Sequence, residues 1–325
     1  MAFSAAQLTD KVNAYLTSMP YVRDPKGLYA PIEYVLSLGG KRIRPVLMLL
    51  AYQLYKENVD EILPQAAGIE TYHNYTLLHD DLMDRADMRR NKPTVHKVWD
   101  DNTAILSGDA MLVLAYRLMG ECSGEYLKRV MDIFTQTAME ICEGQQWDME
   151  FENREDVTVP EYIEMIRLKT SVLLAASLKV GALLGDASPE DMRKLYDFGI
   201  SMGLAFQLQD DFLDVYGDPT VFGKNIGGDI VCNKKTFMLI MALSLAEEEQ
   251  RAELVRWIEC PEFCPAEKIK AVTAIYDRIG IKQICEEKIN GYYAEGLALL
   301  DGVSLPAEKK EELRRFVCRL MDRKA

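Results

Sequence analysis

The chain has 325 residues, 49 % of them hydrophobic, which is enough to enclose a large core. Its 51 acidic against 38 basic residues leave a net charge of -13, so sequence-independent attraction to nucleic acid or to an anionic membrane surface is disfavoured, although a basic pocket inside the acidic shell is not. Seven scattered cysteines fit a reducing compartment better than a disulfide framework, and the one close pair, Cys260 and Cys264, has no second pair or histidine beside it to suggest zinc.

Residues Met1 to Asp10 hold no basic stretch followed by an apolar run, so no secretory signal is read there and a cytoplasmic location is expected. After a break at Pro20 to Gly27, a helical pattern runs to Gly39, Gly40, Lys41, Arg42, Arg44 and Pro45, the first basic cluster. The next helical stretch ends in Asp80, Asp81 and Asp84. At 100° per residue with Asp80 as zero, Asp84 falls at about 40°, His73 at about 20° and Asp81 at about 100°, so two of the three acids share a face with His73. His79 points roughly 100° away from Asp80 and is read, with His96, as structural. Such a run repels itself at neutral pH, which calls for a compensating cation; Arg89 and Arg90 follow, before a break at Asn91 to Pro93.

Apolar residues then recur at helical spacing, as in Leu112, Ala115, Tyr116 and Met119. Beyond a break at Phe151 to Pro160, Thr158 and Glu161 form a capping-box pattern. The most apolar window, Ser171 to Leu184, contains Lys179 and is shorter than the roughly 20 residues that span a bilayer, so no membrane insertion is expected. Ser188 with Pro189 signals another helix start. The apolar Gly203 to Phe206 leads into Asp210, Asp211 and Asp214, and the break Gly217 to Asn233 carries Gly223 and Lys224 before Lys234 and Lys235; the last break is Cys260 to Pro265. Two-residue alternation is scarce and no break resembles a linker. The expectation is an all-α, single-domain bundle over residues 1–325, with about ten to twelve helices around a central cavity.

One acidic run alone is most simply a solvated helix face. A second Asp-Asp-x-x-Asp, 130 residues later and emerging from an apolar stretch, favours two helices that present oxygen ligands to each other. With no histidine or cysteine cluster near, such ligands suit a hard cation that completes its shell from water and phosphate, as Mg²⁺ does with a diphosphate. Glycines near Lys41, Arg44 and Lys224 allow backbone approach to phosphate, and arginine forks match its oxygens.

In order, Gly39 to Pro45 (GGKRIRP), His79 to Asp84 (HDDLMD), Arg89 to Thr94 (RRNKPT), Gly108 to Ala110, Gly144 with Gln145, Lys169 with Thr170, Phe206 to Asp214 (FQLQDDFLD) and Gly223 with Lys224 resemble the trans-type polyprenyl diphosphate synthases across most of the chain. The resemblance implies the type I isoprenoid synthase fold and a homodimer. It implies Mg²⁺, about three ions with the bound diphosphate, held by Asp80, Asp84 and Asp210 with support from Asp81 and Asp214. By the same resemblance Lys41, Arg44, His73 and Arg90 bind isopentenyl diphosphate, Arg89, Lys169, Lys224 and Lys234 grip the allylic diphosphate, and Thr170 and Gln207 face the developing carbocation. Asn91 and Asn233 stand where the family usually or often has glycine, which leaves the local loop geometry open.

The implied reaction ionises dimethylallyl, geranyl or farnesyl diphosphate, adds the isopentenyl double bond and loses a proton to the departing diphosphate. Tyr75, five positions before Asp80, and Thr76 are expected to set chain length, pointing to C15 or C20. On an ideal helix Thr76 lies near the aspartate face and Tyr75 about 140° from Asp80, so ordinary packing is nearly as good a reading of Tyr75. A helical surface with Met111, Leu112 and Met119 is a candidate dimer face. A class I terpene cyclase is the alternative enzyme, against which Asp210, Asp211, Asp214 and the set Lys41, Arg44 and Arg90 speak. A non-catalytic synthase subunit is the other alternative; such subunits lose aspartates, and here all six are present.

Overall fold

A computed structural model describes residues 3–21, 23–218 and 226–322. The all-α expectation is met: 78 % of the structure is helical, and the single sheet among the described residues pairs only Met88–Arg89 with Lys92–Pro93. Start signals act as their chemistry dictates. The Thr158 hydroxyl accepts from the Glu161 N–H while Glu161 reaches back to Thr158, opening helix Val159–Ile166. Ser188 accepts from the Asp191 N–H, with Pro189 as the first residue of helix Pro189–Tyr216.

There are more helical segments than ten to twelve because short pieces form at breaks in the sequence, or within a stretch that carries no break signal. Val95–Val98 and Gly228–Val231 are single turns, and Arg167–Ser171 is a π turn between Val159–Ile166 and Val172–Leu184.

The chain divides into two compact units. The first comprises Met1–Gln136, Ala176–Leu195 and Ser304–Leu313. Its centre is helix Ile43–Gln53, where every residue from Pro45 to Tyr52 is buried, as a helix apolar on all sides requires. Helix Leu63–Met83 lies against helix Asp101–Met119. Their close approach needs Gly108, because a Cβ there would stand 2.1 Å from His79 Nε2. His79 Nε2 in turn donates to the Ile105 carbonyl at 3.2 Å, in keeping with a structural role.

Burial corrects the expected dimer face. Met111 and Met119 are wholly buried within this unit, and the apolar side chains left exposed on that helix are Ile105, Leu106 and Val113, at 46, 60 and 69 %. Helical spacing alone does not say which of two apolar stripes faces the core.

The second unit comprises Thr137–Ala175, Tyr196–Val303 and Arg314–Ala325. Its core gathers Tyr162, Leu208, Phe212, Met238, Ile275 and Cys285. No described helix is long and apolar enough to cross a membrane.

Candidate active site

In the first unit, helix Leu63–Met83 carries His73, Tyr75, Thr76, Asp80 and Asp81, with Asp84 as its C-cap residue. Asp80 and Asp84 are one turn apart, the Asp84 N–H bonding to the Asp80 carbonyl at 2.9 Å. Asp81 turns inward, only 5 % exposed, and meets the cation that the acidic run calls for. Arg89 Nε donates to Asp81 Oδ1 and Oδ2 at 2.9 and 3.1 Å, and Nη2 to Oδ1 at 2.5 Å. Arg89 Nη2 also lies 3.7 Å from Asp80 Oδ2. Burial raises the Asp81 carboxyl above its ordinary value, opposed by Arg89.

The hairpin holding Arg89 turns at Arg90 and Asn91, whose φ values are 53° and 59°. A two-residue hairpin loop of this hand needs both residues left-handed, and asparagine, after glycine, tolerates that best. Asn91 therefore supports the geometry that glycine would. Arg90 donates to the Gly39 carbonyl, and its guanidinium lies so close to Gly40 that a Cβ there would be 2.9 Å from Cζ.

Within Gly39 to Pro45 the arginines divide their tasks. Arg42, 5 % exposed with φ 49°, pairs with Glu70 at 2.6 Å and also donates to Asn13 and the Leu36 carbonyl, which anchors the segment. Arg44 Nη1 lies 3.1 Å from His73 Nε2. A guanidinium only donates, so Nε2 accepts and the His73 proton resides on Nδ1. Burial, then Arg44, Arg90, Arg89 and Arg42, hold His73 well below the ordinary histidine value. The ring is neutral and the positive charge around it belongs to the arginines. Burial also brings Arg44 down to about 10, still cationic at neutral pH. Lys41 is exposed on the same segment.

Tyr75 packs with a buried cluster that includes Ile32, Val35, Leu78 and Met111, and its ring centroid lies 4.8 Å from that of His79. Thr76 Oγ1 donates to the His73 carbonyl at 2.8 Å.

In the second unit the π turn presents Lys169 and Thr170. Glycine permits the approach on two sides: a Cβ on Gly144 would stand 2.4 Å from the Lys169 nitrogen, and one on Gly203 2.6 Å from Ser171. Lys169 Nζ pairs with Asp148 at 2.6 Å. Thr170 Oγ1 donates to Gln207 Oε1 at 3.0 Å, and Gln207 Nε2 donates to Asp211 Oδ1 at 3.0 Å. The Tyr162 hydroxyl donates to Asp211 Oδ2. Four side chains thus form one chain of hydrogen bonds that fixes which way the Gln207 amide points. Asp211 is 5 % exposed, and burial pushes its carboxyl up to about 6 against the pull of Lys234, Tyr162 and Gln207.

Asp210 and Asp214 are less buried than Asp211. Asp214 accepts from the Asp229 N–H at 2.9 Å. The Asp229 carboxyl is pushed up to about 7 by burial and by Asp211, Asp214 and Asp210, with Lys234 opposing. Lys224 lies outside the described residues.

The structure therefore brings Arg44, His73, Arg89 and Arg90 together in one unit and Lys169, Thr170, Gln207 and Asp211 in the other. Sequence reasoning missed Asp229 and Asp148. The signals available were the glycines that precede Asp229 five residues before Lys234, and the position of Asp148 one helical turn after Gly144.

Asp80, Asp84, Asp210 and Asp214 are hard oxygen donors, the class Mg²⁺ selects. Among the described residues no group of three or more His, Cys, Asp or Glu side chains is disposed to hold a metal. The Asp80 and Asp84 pair matches the one or two carboxylates that Mg²⁺ takes from protein when phosphate and water supply the rest.

Residues 25–276 match the family model described as polyprenyl synthetase. The short chain isoprenyl diphosphate synthase of Methanocaldococcus jannaschii is 43 % identical over 236 residues, 72 % of each chain. A crystal structure of a geranylgeranyl pyrophosphate synthase superposes with a TM-score of 0.94 at 41 % identity, covering 99 % of this chain and 100 % of the other. The geranylgeranyl pyrophosphate synthase of Corynebacterium glutamicum, solved in complex with isoprenyl diphosphate and magnesium, has a TM-score of 0.85 at 29 % identity over 98 % of both chains.

Proposed function

Because the chain belongs to the polyprenyl synthetase family and is a prenyltransferase, we propose that it condenses isopentenyl diphosphate with an allylic diphosphate, releasing diphosphate and a trans product of C15 or C20. The observation that carries this reading is the division of labour in the first acidic motif. Asp81 is retained by Arg89, which also lies 3.7 Å from Asp80, and on the same helix a neutral His73 is held by Arg44. A merely solvated acidic face needs neither the buried fork nor the arginine cluster. The family match draws on residues of both units, which supports one synthase domain over residues 1–325.

Lys41, Arg44, His73 and Arg90 bind isopentenyl diphosphate; Arg44 and Arg90 supply fixed positive charge, and His73 orients Arg44 without adding charge of its own. Arg89, Lys169 and Lys234, with Lys224, bind the allylic diphosphate. Asp80 and Asp84, with Asp81 supporting, in the first unit, and Asp210, with Asp214 supporting, in the second, would hold Mg²⁺, which would supply Lewis-acid charge to that diphosphate. The C. glutamicum relative holds magnesium with its isoprenyl diphosphate, which supports this choice of ion.

As the allylic carbon–oxygen bond breaks, Arg89, Lys169 and Lys234 stabilise the charge that grows on the leaving oxygens. The Thr170 hydroxyl gives its hydrogen to Gln207, so its lone pairs remain to face the allylic cation. The isopentenyl double bond attacks that cation, a carbon–carbon bond forms, and the proton then lost goes to the departing diphosphate. Tyr75 and Thr76, one turn before Asp80, set the length of the tail. We further propose a homodimer, for which exposed Ile105, Leu106 and Val113 provide an apolar helix face, and a reducing compartment, for which seven free cysteines speak.

Asp80→Ala and Asp210→Ala test the reading. Each is expected to lower turnover about a hundred- to a thousandfold, as loss of a charge-stabilising group does, with the helical circular dichroism unchanged. Near-normal turnover in either folded variant contradicts the metal assignment.

A further inference from the structure

Lys268 is a buried cation for which the reaction has no use. It is 1 % exposed, and burial lowers the pKa of its amine. A buried ammonium needs acceptors for its three N–H groups. Nζ finds Asn233 Oδ1 at 2.7 Å, the Val231 carbonyl at 3.3 Å and the Phe263 ring at 4.1 Å.

Two of those acceptors belong to the turn that delivers Lys234. The short helix Gly228–Val231 ends with Asn233 in the left-handed region, φ 55°. The Asn233 N–H bonds to the Ile230 carbonyl at 3.2 Å and the Lys234 N–H to the Asp229 carbonyl at 2.9 Å. This is the paired closure of a Schellman motif, with Asn233 at the position usually filled by glycine. A glycine there would satisfy the backbone and leave Lys268 without its nearest acceptor. Asn233 Nδ2 also donates to the Ile258 carbonyl at 2.9 Å, so this side chain ties the turn to two helices. Asp229, Lys234, Asn233 and Lys268 line one small cavity.

We propose that Lys268 is a positioning residue for the second acidic site: through Asn233 and Val231 it clamps the turn that sets Lys234 and Asp229. The proposal rests on the reading that Lys234 binds the allylic diphosphate. Removing the clamp frees the turn without deleting any group that touches substrate. The loss then falls on allylic binding and spares isopentenyl diphosphate, which the other unit's arginines bind.

The test compares the full chain with Lys268→Met, Asn233→Gly, the double variant and Lys234→Ala, measuring KM for geranyl diphosphate, an allylic substrate whether the product is C15 or C20, and for isopentenyl diphosphate with Mg²⁺ present. Lys268→Met and Asn233→Gly are each expected to raise the geranyl diphosphate KM about tenfold, the low end of what loss of an orienting outer partner costs a ligand site. The isopentenyl diphosphate KM stays within about twofold, and the double variant loses less than the two single effects combined, since the Lys268–Asn233 contact is lost in both. Glycine accepts the Asn233 backbone angle, so Asn233→Gly decides the matter if Lys268→Met does not fold. A folded Asn233→Gly with wild-type geranyl diphosphate KM, or with both KM values raised alike, overturns the clamp. If Lys234→Ala leaves the geranyl diphosphate KM unchanged, the role given to Lys234 fails and the clamp with it; if Lys234→Ala raises it and Asn233→Gly does not, the clamp alone fails.

Discussion

His73 and Asp81 each sit in a helix whose face they were assigned by angle, yet their chemistry comes from arginines elsewhere in the chain. His73 is neutral because Arg44 occupies Nε2 and because burial resists a second charge among four guanidinium groups. Its folded pKa lies below the value of about 6.5 that the unfolded chain has. Below that pH the unfolded chain takes up a proton that the folded chain refuses, so stability is lost as pH falls through 6.5. The loss approaches 1.4 kcal/mol per pH unit, roughly, until the folded pKa is reached. Urea denaturation from pH 7.5 to 5.5 is expected to show a steeper fall for the wild type than for His73→Gln. Parallel profiles contradict a neutral His73. The angle that put His73 with Asp80 and Asp84 was legible in the sequence; Glu70 as the partner of Arg42, and Tyr162 as the partner of Asp211, were not, because contacts between helices leave no periodicity to read.

At the scale of elements, the helix breaks and the capping box at Thr158 were readable because proline, glycine and side-chain caps act locally. The π turn at Arg167–Ser171 was not. Its residues Arg167, Leu168, Lys169, Thr170 and Ser171 carry no break signal and are compatible with ordinary helix, and what accompanies the turn is the fit against Gly144 and Gly203. Gly144→Ala puts a methyl carbon 2.4 Å from the Lys169 nitrogen, so backbone must shift. The expected cost is about 1–3 kcal/mol in urea denaturation, with a larger fractional loss of turnover than of stability because Lys169 and Thr170 are displaced together. Wild-type turnover in this variant contradicts a fixed π turn. Asn91 and Asn233, which left loop geometry open in the sequence, both prove to be left-handed residues that replace glycine at small cost.

For the whole molecule, apolar periodicity indicated the helical class, composition the acidic balance and the ordered motifs the chemistry, but none of them separates an exposed apolar stripe from a buried one. Met111 and Val113 are two residues apart and lie at opposite extremes of burial. Product length belongs to this scale too, because it depends on how far a tail of C5 units extends before a wall stops it. Tyr75→Ala is expected to lengthen the main product by at least one C5 unit; an unchanged length makes Tyr75 a packing residue of the cluster around Leu78 and Met111.

The most direct measurement is incubation of purified protein with isopentenyl diphosphate, one of dimethylallyl, geranyl or farnesyl diphosphate, and Mg²⁺, with and without EDTA, followed by mass spectrometry of the dephosphorylated products. The expected product is a linear ladder ending at C15 or C20 that EDTA abolishes. Cyclic hydrocarbons, or no consumption of any allylic starter by the folded protein, would contradict it.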